Sequence, residues 1–127
     1  EAARKHGVTG ENLLKLLEAR LDNTVFRLGI APTRRAARQL VSHNHIEVNG
    51  VNTNSPSFTL RKGDVVTVTL KAREMEVIQT SLRNKGKNFP WLQWNEDKME
   101  GTFIAMPERD QIPENIKEQL IVELYSK

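Results

Sequence analysis

Residues 33–50 read TRRAARQLVSHNHIEVNG, a helix-period segment that runs without a break into a strand-period one. At about 100° per residue, Arg34, Arg35, Arg38, Gln39 and Ser42 fill one half of the helical wheel, and Ala36, Ala37, Leu40 and Val41 fill the other. Thr33 is placed to cap this helix with its side-chain oxygen. A helix divided in this way lies flat on an apolar core and turns its arginines outward together. The next residues, HIEVNGVNTN, alternate apolar and polar. Asn49-Gly50 is the dipeptide that a two-residue type I′ hairpin turn selects, because both central residues need a positive φ.

The charge on this helix calls for a partner. No Asp or Glu stands between Asp22 and Glu47, so nothing nearby in sequence neutralises Arg27, Arg34, Arg35 and Arg38. Crowded like charges destabilise a helix unless an anion relieves them, and a guanidinium fork fits phosphate better than an ammonium does. The expectation is a polyanion-binding face rather than an ordinary solvated one. The chain as a whole is polarised: residues 1–94 carry 15 Lys and Arg against 8 Asp and Glu, and residues 95–127 carry 4 against 8. A basic body with an acidic end predicts a polyanion partner for the first part only.

Toward the N-terminus, Leu13, Leu14, Leu16, Leu17 and Leu21 form an apolar stripe on a helix that Thr9 can cap, with Glu11 in its first turn. A second helix is predicted from Asp22 to Leu28, stopping at Gly29, and Ala31-Pro32 breaks the chain before Thr33. Beyond the hairpin come Phe58-Thr59-Leu60, the turn RKGD and the β-branched VVTVTL. Met75, Val77, Ile78 and Leu82 predict a helix over Ala72 to Arg83, followed by the basic loop RNKGKNFP. WLQW and GTFIAM read as strands, with Trp91 and Trp94 as core anchors. Pro113 opens a last helix, apolar nearly all round at Ile116, Leu120, Ile121, Val122 and Leu124, which is expected to pack on the first.

The predicted fold class is α+β. Residues 22–104 would form a module of two helices and a small twisted sheet with a following helix and strands. Residues 1–21 and 105–127 would close together as a helical lobe.

Several function classes are disfavoured. No apolar run approaches the roughly 18 residues of a membrane-spanning helix, and EAARKHGVTG carries no apolar core of a signal peptide. The absence of an initiator Met points to an internal fragment or a processed product. Zero cysteines exclude a disulfide framework and fit a reducing compartment. His43 and His45 have no Cys or nearby acid to complete a metal site, and Glu74 and Glu76 point to different sides of a helix. With no nucleophile elbow, phosphate-binding Gly loop or dinucleotide fingerprint, no catalytic residue, cofactor or metal is expected. A DNA-binding helix-turn-helix is the rival, since GIAPTRRAARQLV has a short turn and an arginine-bearing second helix. Many arginines with few base readers, followed at once by a hairpin, favour backbone and shape recognition of structured RNA.

RLDNTVFRLGIAPTRRAARQLVSHNHIEVNG, followed by RKGDVV, closely resembles the S-four RNA-binding (alpha-L) module, which also occurs in pseudouridine synthases and some tyrosyl-tRNA synthetases. A fragment of such an RNA-modifying enzyme is a further alternative, disfavoured because no catalytic segment is present. The flanks GVTGENLLKLLEARLDN and MEGTFIAMPERDQIPENIKEQLIVELYSK extend the resemblance to the bacterial-type S-four family of small-subunit ribosomal proteins, without that family's N-terminal arm. The resemblance implies a cytoplasmic ribosomal protein that binds small-subunit rRNA early in assembly. It also implies a place where mRNA enters the subunit, beside ribosomal protein S-five, with an influence on decoding accuracy. Its RNA-facing positions fall on Arg27, Thr33, Arg34, Arg35, Arg38, Gln39, Ser42, His43 and Asn49, with Lys62, Arg20, Arg4 and Lys5 as additions. Lys62 departs from the Pro that many members carry, which is expected to loosen its turn. Glu96, Asp97, Glu100, Glu108 and Asp110 are expected to meet a basic protein neighbour, the role the resemblance gives to S-five.

Overall fold

The computed structural model describes residues 10–86 and 88–112. Helix α1 spans Gly10–Glu18. Leu14 and Leu17 are buried on it, Leu13 is half-buried and Leu16 is exposed, so its apolar stripe is narrower than the leucines alone suggest. The Thr9 cap, Arg4, Lys5 and the helix from Pro113 lie outside the described residues.

Helix α2 spans Leu21–Arg27 and ends through Leu28 into Gly29, whose φ of +88° is the left-handed geometry that glycine adopts without a Cβ penalty. Helix α3 spans Arg34–Ser42, and Thr33 Oγ1 accepts from the Ala36 N–H at 3.0 Å, the predicted cap. Ala37, Leu40 and Val41 are buried and seat α3 flat against α2 and the core, while Ala36 is only partly covered.

The hairpin follows at once. Strands β1 (Ile46–Val48) and β2 (Val51–Asn52) pair antiparallel around Asn49 and Gly50, whose φ values of 53° and 82° are both positive, as a type I′ turn requires. With β3 (Val65–Val68), β4 (Leu92–Asn95) and β5 (Glu100–Phe103) they make a five-stranded antiparallel sheet in the order β2-β1-β3-β5-β4. Its register places Ile46 opposite Val68 and Val48 opposite Val66, all four buried. Leu92 faces Phe103 on the same principle of alternation. Gly101 sits where Leu28 packs onto the sheet, and a Cβ there would collide with the Leu28 side chain.

Two expectations are corrected. The single helix predicted over Ala72 to Arg83 is a short 3-10 turn (Ala72–Glu74) and helix α4 (Glu76–Arg83), separated by an extended Met75 at φ −64° and ψ 132°. On one continuous helix Ala72 and Ile78 would project about 120° apart; the break lets both turn into the core, where both are buried. Phe58-Thr59-Leu60 is not a strand of the sheet. It makes one bridge, Thr59 with Arg20, and stitches the α1–α2 junction through Leu21 N–H to Phe58 O (2.8 Å) and Leu60 N–H to Ala19 O (2.7 Å).

One core cluster runs from Ala19 and Leu21 through α2, α3 and the sheet to Trp91 and Phe103. A second small cluster joins Leu14 to Ile112, with Leu13 beside it, and Lys15 Nζ lies 3.6 Å from Glu108 Oε1 at the same place.

Candidate nucleic-acid interface

Because Ala37, Leu40 and Val41 anchor one side of α3, the other side is fixed outward. Thr33, Arg35, Arg38, Gln39, Ser42 and His43 are all exposed, and α3 carries no acidic residue. Thr33 is already committed to its cap. Arg35 and Arg38 therefore present guanidinium forks beside an amide, a hydroxyl and an imidazole, groups with the chemistry to donate to phosphate oxygens without demanding a base sequence.

The structure corrects the expectation that these arginines have no counter-charge. Arg27 does not face outward: it is 7% exposed, and its Nη2 lies 2.7 Å from Oε2 of Glu18, itself fully buried. Arg27 Nε also donates to Glu18 Oε1 at 3.1 Å, and Asn23 Nδ2 to the same oxygen at 2.6 Å. Arg34 is half-buried, donating from Nε to Asn23 Oδ1 at 2.6 Å, with its guanidinium carbon 4.6 Å from the Phe26 ring centroid. Arg20 Nε and Nη2 both donate to Asp22, at 3.1 and 3.0 Å, and Arg38 Nε lies 3.7 Å from Asp22 Oδ2. The α1–α2 bend at Ala19-Arg20 brings Glu18 and Asp22 beneath α3, a placement that sequence separation conceals. Arg38 nevertheless keeps 47% of its side chain exposed.

Asn49 is likewise occupied. Its Nδ2 donates to Asp64 Oδ1 at 3.0 Å and its Oδ1 accepts from Val65 N–H at 2.9 Å, so the amide clamps the hairpin tip to the turn before β3. The turn around Lys62 is held by hydrogen bonds on both sides. Arg61 N–H donates to Asp64 Oδ2 at 2.8 Å and Gly63 N–H to Phe103 O at 2.7 Å, with Gly63 at φ +90° and Lys62 exposed.

Sequence reasoning missed the aromatic framework behind α3. Arg27 lies with its guanidinium 5.7 Å from the Phe26 centroid and 5.1 Å from that of Phe89, and Phe89 contacts Trp91 at 5.1 Å between centroids. A cation flanked by two rings and closed by Glu18 braces the base of the face. Trp91 is buried as expected, whereas Trp94 is only half-buried, with Lys85 Nζ 5.0 Å from its ring centroid. Of the acidic residues, Glu96, Asp97, Glu108 and Asp110 are exposed and Glu100 is half-buried on β5. Among the described residues no group of three or more His, Cys, Asp and Glu side chains is arranged to hold a metal ion.

The family model described as the S4 domain matches residues 19–66. Small ribosomal subunit protein uS4 of Christiangramia forsetii is 58% identical over 127 residues, covering 100% of this chain and 63% of the relative. The proteins of the same name from Flavobacterium psychrophilum and Cytophaga hutchinsonii are 60% and 61% identical, over 100% and 99% of this chain and 63% of each relative. The chain thus spans somewhat under two thirds of the length of these relatives.

Proposed function

We propose that this chain is a member of the uS4 family of small ribosomal subunit proteins, a non-enzymatic constituent of the cytoplasmic ribosomal small subunit that binds small-subunit rRNA through the exposed face of α3. The observation that carries this is the outward set of Arg35, Arg38, Gln39, Ser42 and His43 on a helix without an acid, seated on a rigid core. Arg34 lies at the start of the same helix, and Lys62 is an exposed cation on the turn before β3. Such a face grips phosphates and reads shape, the mode suited to a folded RNA junction. Binding there early would help nucleate assembly. The exposed acids Glu96, Asp97, Glu108 and Asp110, with Glu100 partly covered, suit a basic protein neighbour, for which small-subunit protein S-five is the proposed partner. Contact with mRNA where it enters the subunit, and an influence on accuracy, follow from that position. The segments joined at Leu14 and Ile112 would form the lobe that carries Glu108 and Asp110.

The test is the salt dependence of binding to a small-subunit rRNA fragment. A slope of log affinity against log salt of roughly −2 to −4 is expected from the exposed cations of this face. A slope near zero would overturn the reading.

A further inference from the structure

Between the end of α2, the loop after α4 and strand β4 lies a pocket of about 620 Å³, within the range of small-ligand sites. Its walls combine aromatic, cationic, amide and carboxylate groups: Phe89 and Trp94, Arg27 and Lys85, Asn88 and Gln93, and Glu96. A narrower groove of about 200 Å³ shares Arg27, Lys85 and Phe89 with it and reaches Pro32, one residue before the α3 cap. The groove thus links the pocket to the loop that precedes α3.

We propose that this pocket receives one unpaired nucleotide of the bound RNA, its base stacked on Trp94 and its phosphate held by the Lys85 ammonium. The inference deepens the RNA-binding reading and rests on it. Arg27 is already neutralised by Glu18 and serves as a brace that holds the Phe89 ring. Lys85 is the cation that reaches the Trp94 ring. Its stem lies against Gly29, where a Cβ would stand 2.8 Å from Lys85 Cγ, and its head covers the Trp94 ring. Burial holds the Lys85 pKa below the usual lysine value, and nearby Glu96 pulls it back only in part. An ammonium so desolvated gains from an added anion. When it swings to a phosphate, the Trp94 face it uncovers is open to a base, and every base has a π-face to offer. The side-chain amides of Asn88 and Gln93, both exposed at the rim, supply donors and acceptors for a base edge. An acidic peptide would answer Lys85 but leave the ring without a stacking partner.

The full chain is titrated with a short unstructured oligouridine, with the matching abasic ribose-phosphate strand and with uridine monophosphate, following tryptophan fluorescence and affinity. Oligouridine is expected to quench Trp94, and Trp94→Ala is expected to weaken it by roughly tenfold, the scale of one base–aromatic stack. The abasic strand should neither quench nor respond to Trp94→Ala. Trp94→Phe should abolish the quench yet keep most of the affinity, which controls for folding, and Lys85→Gln should weaken both strands. Equal behaviour of the abasic strand, or full oligouridine affinity in Trp94→Ala, would overturn the proposal. Saturation by the free monophosphate at the same concentration would also overturn it, in favour of a free-nucleotide site. Affinity for the rRNA fragment and its salt slope, lowered and flattened by about two on Arg35→Ala with Arg38→Ala, separately report the α3 reading.

Discussion

Arg27 Nη2 meets Glu18 Oε2 at 2.7 Å in the interior, across the bend that separates α1 from α2. Both side chains are buried, so the pair is a structural joint rather than part of the proposed RNA-binding face. Asn23 extends the joint: it donates to Glu18 and accepts from Arg34, so the network that fixes the α1–α2 angle also sets the first arginine of α3. Glu18→Ala would leave the Arg27 guanidinium buried without its counter-charge. The expected loss is about 3–5 kcal/mol in denaturant unfolding, whereas Glu18→Leu with Arg27→Met should cost less than Glu18→Ala alone. A double variant no more stable than the single one would show that the pair contributes beyond relieving its own buried charge.

Asn49 is expected to behave as a structural residue. It holds a positive φ that Ala tolerates poorly, and its amide joins the hairpin tip to Asp64 and Val65. Asn49→Ala should lower stability by about 1–3 kcal/mol, combining the strained backbone with lost hydrogen bonds. The salt slope of RNA binding should stay at the parent value. A flattened slope with unchanged stability would return Asn49 to the RNA face.

These two residues mark what a sequence can and cannot reveal here. Helix α3, its Thr33 cap and the Asn49-Gly50 hairpin were legible because each rests on neighbours within four residues. The sheet strands β3, β4 and β5 were legible from β-branched and aromatic runs. Glu18 and Arg27 were not, since nine residues and a helix break separate them and no periodicity relates them. The extended Met75 was hidden for the opposite reason: Met75, Ile78 and Leu82 keep helical spacing even though the chain breaks at the first of them. The pocket escaped because Phe89 and Trp94 reach Arg27 and Lys85 only through tertiary packing.

Gly101 offers a test of the packing between α2 and the sheet. A Cβ at this position would collide with Leu28, itself 2% exposed and unable to withdraw toward solvent. Gly101→Ala should therefore destabilise by about 1–3 kcal/mol through overpacking. Leu28→Ala alone should cost about 2–5 kcal/mol by opening a cavity. Combined, the two should cost less than the sum of the single losses, because the added methyl enters the vacated space. Strict additivity in thermal or denaturant unfolding would mean that the two do not meet as described.

Arg34 and Arg35 are adjacent in sequence and should differ in kind. Arg34 bonds Asn23 and stacks on Phe26, while Arg35 is exposed and forms no ion pair among the described residues. Arg34→Ala is expected to lower stability by about 1–3 kcal/mol, the cost of leaving a buried acceptor and a ring face without their partner. Arg35→Ala should leave the unfolding midpoint unchanged and act on RNA alone. It should weaken binding nearly uniformly across RNA sequences and flatten the salt slope by about one for its single phosphate contact. Arg38→Ala should resemble Arg35→Ala in binding. Its effect on stability should also be small, because its partner Asp22 keeps both hydrogen bonds from Arg20. Unfolding curves and salt titrations on the three variants decide the matter together. If Arg35→Ala unfolds the chain, or binds RNA as well as the parent with the same slope, the face of α3 has been assigned to the wrong side of the helix.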